Sequence, residues 1–113
     1  MAADITITPA TGTWVVRVAG AVLGESTGAL SLMEDGYDEV IYFPRADIAM
    51  AFLEPSDKTT FCPKKGTASY FSIEAKSGTL EDAVWSYEDP IDGVKEIAGM
   101  LSFRGEKVAV EKV

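Results

Sequence analysis

Histidine is absent from this chain of 113 residues, and cysteine occurs only once, as Cys62. Without histidine the chain has no Ser-His-Asp or Cys-His catalytic arrangement and no imidazole to act as a general base. Tetrahedral zinc sites are usually built from cysteine and histidine, so we expect no metal and no cofactor. Any catalysis would depend on carboxylates, lysine, arginine, tyrosine, serine or Cys62.

Disulfides and long apolar runs are also missing. A single cysteine cannot close an intrachain disulfide, which excludes the disulfide-dense scaffolds of small secreted domains. No apolar run approaches the roughly 20 residues that a membrane-spanning helix needs. Residues 1–13 have neither a basic start nor an apolar stretch, so we predict no signal peptide. Together these absences predict a protein of the reducing cytoplasm that does not bind membranes.

Basic residues are scarce, because the chain has 10 Lys and Arg against 18 Asp and Glu, for a net charge of −8. A chain of this charge repels phosphate backbones, so we predict no nucleic-acid partner. The candidate for a local basic patch is the pair Lys64-Lys65. The acidity is otherwise typical of a surface that keeps a small domain in solution.

The sequence that remains predicts one mainly β domain over residues 1–113, because 47% of the residues are hydrophobic and no linker divides the chain. Trp14, Val16 and Val18 alternate with their neighbours, as expected for a strand with Arg17 on its second face. Further strands are predicted at 67–75 and 83–87, in a hairpin that pairs 29–33 with 39–43 around Asp35-Gly36, and in a last hairpin that pairs 100–104 with 107–112.

Two short helices are predicted between these strands. Pro44 suits the first turn of a helix over 45–53, in which Ile48 and Phe52 are four residues apart. A second helix is predicted to begin after Asp89-Pro90 and to end at Gly99, while 58–66 is predicted to be a loop. The fold class is therefore α+β, mainly β, with antiparallel strands and two short helices.

Three interpretations fit the segment that contains Cys62. The lysines at 64 and 65 would favour the reactive thiolate, and Pro63 would hold the backbone beside it, so Cys62 and Lys65 are candidate catalytic residues. Alternatively, Cys62 is a buried structural residue in a turn, as free cysteines often are. A looser anion site at Lys65 and the loop amides is a third interpretation. A P-loop is excluded, because its lysine follows a glycine, whereas Lys65 precedes Gly66.

Aromatic and charged residues provide the candidate ligand-binding groups. Tyr70, Trp85 and Tyr87 would line a pocket with flat apolar rings and polar tips, or would pack in the core. Arg17, within an apolar strand, requires a carboxylate or solvent, and Asp47 is one of its candidate partners. Both are included among the candidate ligand-binding residues, although no spacing selects a carboxylate pair for acid–base chemistry.

Four motifs occur in the chain: Tyr42-Phe43-Pro44-Arg45-x-Asp47, Leu53-Glu54-Pro55-Ser56-Asp57-x-Thr59-Thr60, Cys62-Pro63-x-Lys65-Gly66-Thr67-Ala68-Ser69-Tyr70, and Trp85-Ser86-Tyr87 with Pro90. Together they resemble a domain-of-unknown-function family, number 427, and the resemblance extends from about residue 14 to residue 110. The chain differs from the family at Lys64 and Phe71, where an aromatic residue and a tryptophan are frequent. Those differences would alter a ligand surface.

The resemblance implies an Mss4-like, or β-tent, fold, in which antiparallel sheets meet at an angle with a cleft between them. Because a fold hosts many functions, it does not name an activity. The family also carries a nucleotidyltransferase label, but the carboxylates and phosphate-binding loop that such chemistry normally uses are not visible here.

Three functions follow as expectations. The first is a binding module whose aromatic cleft, near the Cys62 loop, holds a small molecule or anion. The alternative is a redox or transfer enzyme in which Cys62 is the nucleophile, Lys65 assists it, and Tyr70 or Asp47 positions the substrate. The third is association through an exposed sheet edge, so the chain is expected to be a monomer or a homodimer.

Overall fold

Ten strands in three antiparallel sheets make up most of the computed structural model, which describes residues 4–113. This arrangement confirms the prediction of a mainly β chain. The strands are β1 (Ile5–Pro9), β2 (Trp14–Val18), β3 (Ala21–Ser26), β4 (Leu30–Glu34), β5 (Val40–Tyr42), β6 (Leu53–Cys62), β7 (Gly66–Ala75), β8 (Gly78–Ser86), β9 (Ser102–Phe103) and β10 (Val108–Lys112).

The three sheets have the strand orders β1-β4-β5, β10-β2-β3 and β6-β7-β8-β9. The predicted hairpin between 29–33 and 39–43 is confirmed, since β4 pairs with β5 in the register Leu30 to Tyr42. Phe43 and Leu101 exchange two backbone hydrogen bonds of 2.8 and 2.9 Å. This exchange connects the segment after β5 to the segment before β9, and so holds the first sheet beside the third.

Two apolar clusters lie between the sheets. The larger cluster joins the β10-β2-β3 sheet to β8 and β9, and Val16, Phe43, Val84 and Leu101 are completely buried in it. The smaller cluster joins the β1-β4-β5 sheet to β7, β8 and the segment that follows; it contains Leu32, Tyr42, Ala68, Tyr87, Val94 and Ile97. Burial of this apolar surface is the main force holding the sheets together.

Both predicted helices are short 3₁₀ segments in the structure. Residues Arg45–Asp47 and Met50–Phe52 form separate single turns, and Asp92–Ile97 forms a third segment with a kink at Val94. The first predicted helix cannot continue, because Ile48 has extended backbone angles and bridges to Gly24 of β3. No helix among residues 4–113 is long and apolar enough to cross a membrane.

Two other predictions are wrong about the path of the chain. Most of the predicted loop 58–66 belongs to β6, and the chain turns only after Cys62. The predicted last hairpin does not form, because β9 pairs with β8 whereas β10 pairs with β2. Alternation identified the two segments of the last hairpin as extended, but it carries no information about the partner of each strand.

The close approach of β3 to the Arg45–Asp47 segment requires a glycine at position 24. A Cβ atom there would lie 2.6 Å from the carbonyl oxygen of Asp47 and 2.5 Å from Cδ1 of Ile48. We predict that Gly24→Ala lowers the free energy of unfolding by about 1–3 kcal/mol, as overpacking of a core does. The measurement is urea denaturation monitored by tryptophan fluorescence.

Gly28→Ala is the matched control, because a Cβ at position 28 would meet its nearest neighbour at an ordinary 3.6 Å. Its unfolding midpoint should stay close to that of the wild type. Equal midpoints for both variants would contradict the proposed close approach at Gly24.

Candidate functional site: an aromatic cleft

Strands β7 and β8 place the aromatic candidates side by side. Tyr70 lies directly opposite Trp85 in the antiparallel register, and the two ring centroids are 6.5 Å apart with an interplanar angle of 39°. Tyr87 is the first residue after β8 and is buried, with a relative exposure of 7%. The predicted aromatic group is thus brought together by strand pairing.

A cleft of about 1100 Å³ opens beside these rings. Its lining includes residues of β4, β5, β6, β7 and β8 and of the turn after β6, so both the first and the third sheet contribute. Pockets for small molecules usually have volumes of about 300–1,000 Å³. The cleft therefore has enough room for a ligand of that size.

Four of the candidate residues share this lining with Cys62. They are Lys65, Tyr70, Trp85 and Tyr87. Arg17 and Asp47 do not line the cleft: Arg17 Nε donates to Glu111 Oε1 at 3.0 Å, and Asp47 Oδ2 accepts from Ser26 Oγ at 2.6 Å. Arg17 lies on the outward face of β2, and Asp47 lies beside β3, so neither belongs to the cleft.

A tight turn positions Cys62 and Lys65. The amide of Lys65 donates to the Cys62 carbonyl at 3.0 Å, and Gly66 follows with a φ of +113°, which an L side chain rarely adopts. The Lys65 carbonyl accepts from the Ile91 amide at 2.9 Å, which fixes the turn to the segment after β8. In this geometry Lys65 Nζ lies 3.9 Å from Cys62 Sγ.

Glu34 of β4 neutralises the lysines of this turn. Its carboxylate oxygens lie 3.1 Å from Lys65 Nζ and 3.4 Å from Lys64 Nζ. Lys64 also pairs with Asp4; the hydrogen bond between them lowers the pKa of the Asp4 carboxyl and raises the pKa of the Lys64 ammonium. The Lys65 and Glu34 side chains are only 14% and 10% exposed, so solvent screens their attraction less than it screens a surface pair.

Tyr42 is a cleft residue that was not among the candidates named from the sequence. It lies in β5, is 1% exposed and accepts a 3.4 Å hydrogen bond from Trp85 Nε1. Burial raises the pKa of Tyr42 to about 12, and burial likewise raises the pKa of Tyr87. Both hydroxyls therefore stay protonated at neutral pH and can act as hydrogen-bond donors.

Lys58 and Arg104 also line the cleft, and neither was among the candidates named from the sequence. Lys58 Nζ lies 4.7 Å from the centroid of the Tyr70 ring, and Arg104 Cζ lies 5.3 Å from the centroid of the Trp85 ring. Among residues 4–113, neither cation has a carboxylate within 4.0 Å. Residues 58 and 104 are far apart in the sequence, so no local motif connects them. Only knowledge that β7 pairs with β8, which places Tyr70 beside Trp85, could have identified both cations as cleft residues.

Metal binding has no support in the described part of the chain. Residues 4–113 contain no cluster of three or more cysteine, aspartate or glutamate side chains arranged to hold a metal ion. The cleft that the structure does assemble contains aromatic rings, protonated phenols, one thiol, three cations and four carboxylates; the charged residues are Lys58, Lys65, Arg104, Glu34, Asp38, Glu39 and Asp82. Cations that are not already paired can form charge-assisted hydrogen bonds with an anion.

Burial of Tyr42 predicts a loss of stability in alkali. Because the pKa of Tyr42 is raised from 10 to about 12 in the folded state, its contribution is complete below pH 10 and disappears as the pH rises toward 12. The rise corresponds to roughly 3 kcal/mol. Unfolding free energies measured between pH 9 and 12 should therefore fall more steeply for the wild type than for Tyr42→Phe. Parallel curves would contradict this.

Comparison with known proteins agrees with the motifs that run through the sequence. The family model described as "Domain of unknown function (DUF427)" matches residues 6–113, which includes every strand except the first residue of β1. A search of curated proteins found no matching sequence. The match extends over the strands, the turn after Cys62 and the residues that line the cleft, and on this basis the chain belongs to the DUF427 family.

Proposed function

We propose that this protein binds a small, negatively charged molecule in the cleft beside Tyr70 and Trp85. The observation that carries the proposal is the pair of cations, Lys58 and Arg104, which lie over these two rings with no carboxylate within 4.0 Å among residues 4–113. Although four carboxylates also line the cleft (Glu34, Asp38, Glu39 and Asp82), neither of these two cations is neutralised by an ion pair in the described part of the chain, so both are available to an anion.

The surrounding groups support an anionic ligand. The acid group of the ligand would pair with Lys58 and Arg104, and its apolar body would pack in the cleft against aromatic surface. Water excluded from the cleft would strengthen those charge-assisted hydrogen bonds. Lys65 is less available, because Glu34 already pairs with it at 3.1 Å.

The architecture, the cellular location and the oligomeric state are proposals as well. The architecture is proposed to be of the Mss4-like or β-tent type, because the first and third sheets both line the cleft. A cytoplasmic protein without nucleic-acid or membrane partners fits the charge and the absence of a disulfide. The exposed outer strand β6 would provide the contact if the protein is a homodimer rather than a monomer.

Removing the two cations tests the anion proposal. We expect Lys58→Met combined with Arg104→Met to weaken the binding of benzoate about tenfold or more, because hydrogen bonds to charged groups contribute roughly 1.5–3 kcal/mol. Affinities are measured by ligand-observed NMR at low ionic strength. Lys76→Met is the control, since Lys76 is exposed in the β7–β8 turn and does not line the cleft.

Two results would count against an anion site. One is an equal loss of affinity in the Lys76→Met control, which would show that net charge alone is responsible. The other is binding of benzyl alcohol as tightly as benzoate by the wild type, because a neutral analogue of the same size makes no ion pair.

A second candidate function rests on the 3.9 Å approach of Lys65 Nζ to Cys62 Sγ. In an enzyme of this kind the Cys62 thiolate would attack an electrophilic substrate, and the Lys65 ammonium would stabilise the thiolate. Tyr70 lines the same cleft and would help to position the substrate. Asp47 has no part in this version, because it lies beside Ser26.

Alkylation by iodoacetamide distinguishes this enzyme from a purely structural cysteine. If the candidate is right, Cys62 in the folded protein reacts at pH 7 faster than in the urea-unfolded chain, and Lys65→Met lowers the folded rate about tenfold. Lys64→Met is the matched control, because Lys64 pairs with Asp4 and Glu34 and makes no contact with the thiol. A thiol that reacts only after unfolding would exclude the enzyme.

A further inference from the structure

Asp82 lines the cleft in an unusual backbone conformation. Its φ of +53° lies in the left-handed region, which Ala19 is the only other non-glycine residue to adopt in the described part of the chain. This region is uncommon for residues other than glycine, and such a conformation persists where the surrounding contacts impose it, often at functional sites. The contacts of Asp82 therefore indicate what the conformation is for.

Two bulges that face each other across β7 bring Asp82 to Ser56. Strand β6 advances four residues from 55 to 59 while β7 advances two, and β8 advances four residues from 80 to 84 while β7 again advances two. Bulges of this kind bend a strand and redirect its side chains. The outer strands β6 and β8 thereby approach each other over β7, where Ser56 Oγ donates a hydrogen bond to Asp82 Oδ1.

This hydrogen bond leads directly to Lys58. Ser56 Oγ also accepts from the Lys58 amide at 3.1 Å, and Lys58 Nζ lies 4.7 Å from the centroid of the Tyr70 ring. On the other side, the Asp82 amide donates to Ser72 Oγ at 3.1 Å, which attaches Asp82 to β7. A continuous set of contacts therefore runs from β7 through Asp82 and Ser56 to the backbone of Lys58.

We infer that Asp82 is a positioning residue of the anion site, whose carboxylate holds Lys58 over the Tyr70 ring through Ser56. This inference rests on the proposed anion site and adds to it a residue that acts through Lys58 and not on the ligand. A lysine side chain loses much rotamer freedom when it is immobilised, so a fixed backbone beneath it reduces the entropy lost on binding.

Asparagine and glycine at position 82 separate the hydrogen-bond acceptor from the backbone conformation. Both residues tolerate a positive φ and both remove the negative charge, but only asparagine keeps a side-chain oxygen that accepts from Ser56. We expect Asp82→Gly to weaken benzoate binding about tenfold, as much as Lys58→Met alone, because the hydrogen bond from the Lys58 ammonium is lost in both. Asp82→Asn should bind benzoate at least as tightly as the wild type.

A spectroscopic signature of Lys58 gives a readout that needs no ligand. Because Lys58 Nζ lies 4.7 Å from the Tyr70 ring centroid, the ring current should shift the εCH₂ protons of Lys58 upfield in the NMR spectrum of the wild type and of Asp82→Asn. The shift should disappear in Asp82→Gly and in Ser56→Ala, which removes the other end of the same hydrogen bond.

Thr79→Ala is the matched control for Ser56→Ala. It removes a hydroxyl of the same sheet that bonds to Glu74 at 2.8 Å and does not line the cleft. It should change neither the Lys58 resonances nor the affinity for benzoate.

The outcomes separate this inference from the function on which it rests. An unchanged Lys58 shift in both Asp82→Gly and Ser56→Ala, or an equal loss of affinity in Asp82→Asn and Asp82→Gly, would overturn the positioning role. If the wild type does not bind benzoate at millimolar concentration, the anion site fails, whereas loss of the shift in the two variants would still support the positioning of Lys58 by Asp82. Ser56→Ala decides even if Asp82→Gly fails to fold.

Discussion

The ion pair between Lys65 and Glu34 is the constraint on which the cleft depends. Lys65 lies in the turn between β6 and β7 of the third sheet, whereas Glu34 ends β4 of the first sheet. Their 3.1 Å contact, reinforced by Lys64, therefore fixes the distance between two sheets that are separate in their strand pairing. Because the pair is mostly buried, loss of either partner would leave an uncompensated charge and would disturb the wall that contains Cys62.

The third sheet lines the cleft with residues of β6, β7 and β8, and each of these three strands has an irregular backbone. The registers shift between Pro55 and Thr59 in β6 and between Phe71 and Ile73 in β7, and Asp82 of β8 has a φ of +53°. Bulges of this kind bend a strand and redirect its side chains. The cost of the strained Asp82 backbone is offset by hydrogen bonds, since the Asp82 amide donates to Ser72 Oγ at 3.1 Å.

The same irregularity explains how Lys58 comes to lie over an aromatic ring. Ser56 Oγ donates to the Asp82 carboxylate and accepts from the Lys58 amide at 3.1 Å, so the backbone leading to Lys58 is attached to β8. Lys58 is thereby held on the same face as Tyr70. The position of Lys58 over the Tyr70 ring is thus a consequence of sheet geometry, not of a cluster of basic residues in the sequence.

Sequence reasoning could predict those parts of the molecule that depend on local pattern. The β2 and β7 strands and the hairpin between β4 and β5 follow from alternation and turn residues. Sequence reasoning failed where the conformation or position of a residue depends on a partner that is distant in the chain. Residues 45–53 do not form a helix because Ile48 bridges to Gly24, and Lys58 and Arg104 gain their importance only when strands from both ends of the chain meet.

The distribution of charge links the fold to the proposed ligand. Lys64 and Lys65, the one basic pair evident in the sequence, are used to join the first and third sheets through Asp4 and Glu34. Their charge is therefore largely committed to structure, whereas Lys58 and Arg104, the cations proposed to bind an anion, have no ion pair within 4.0 Å among residues 4–113. Residues that look functional in the sequence can thus be structural supports, while the groups available to a ligand are assembled only by folding.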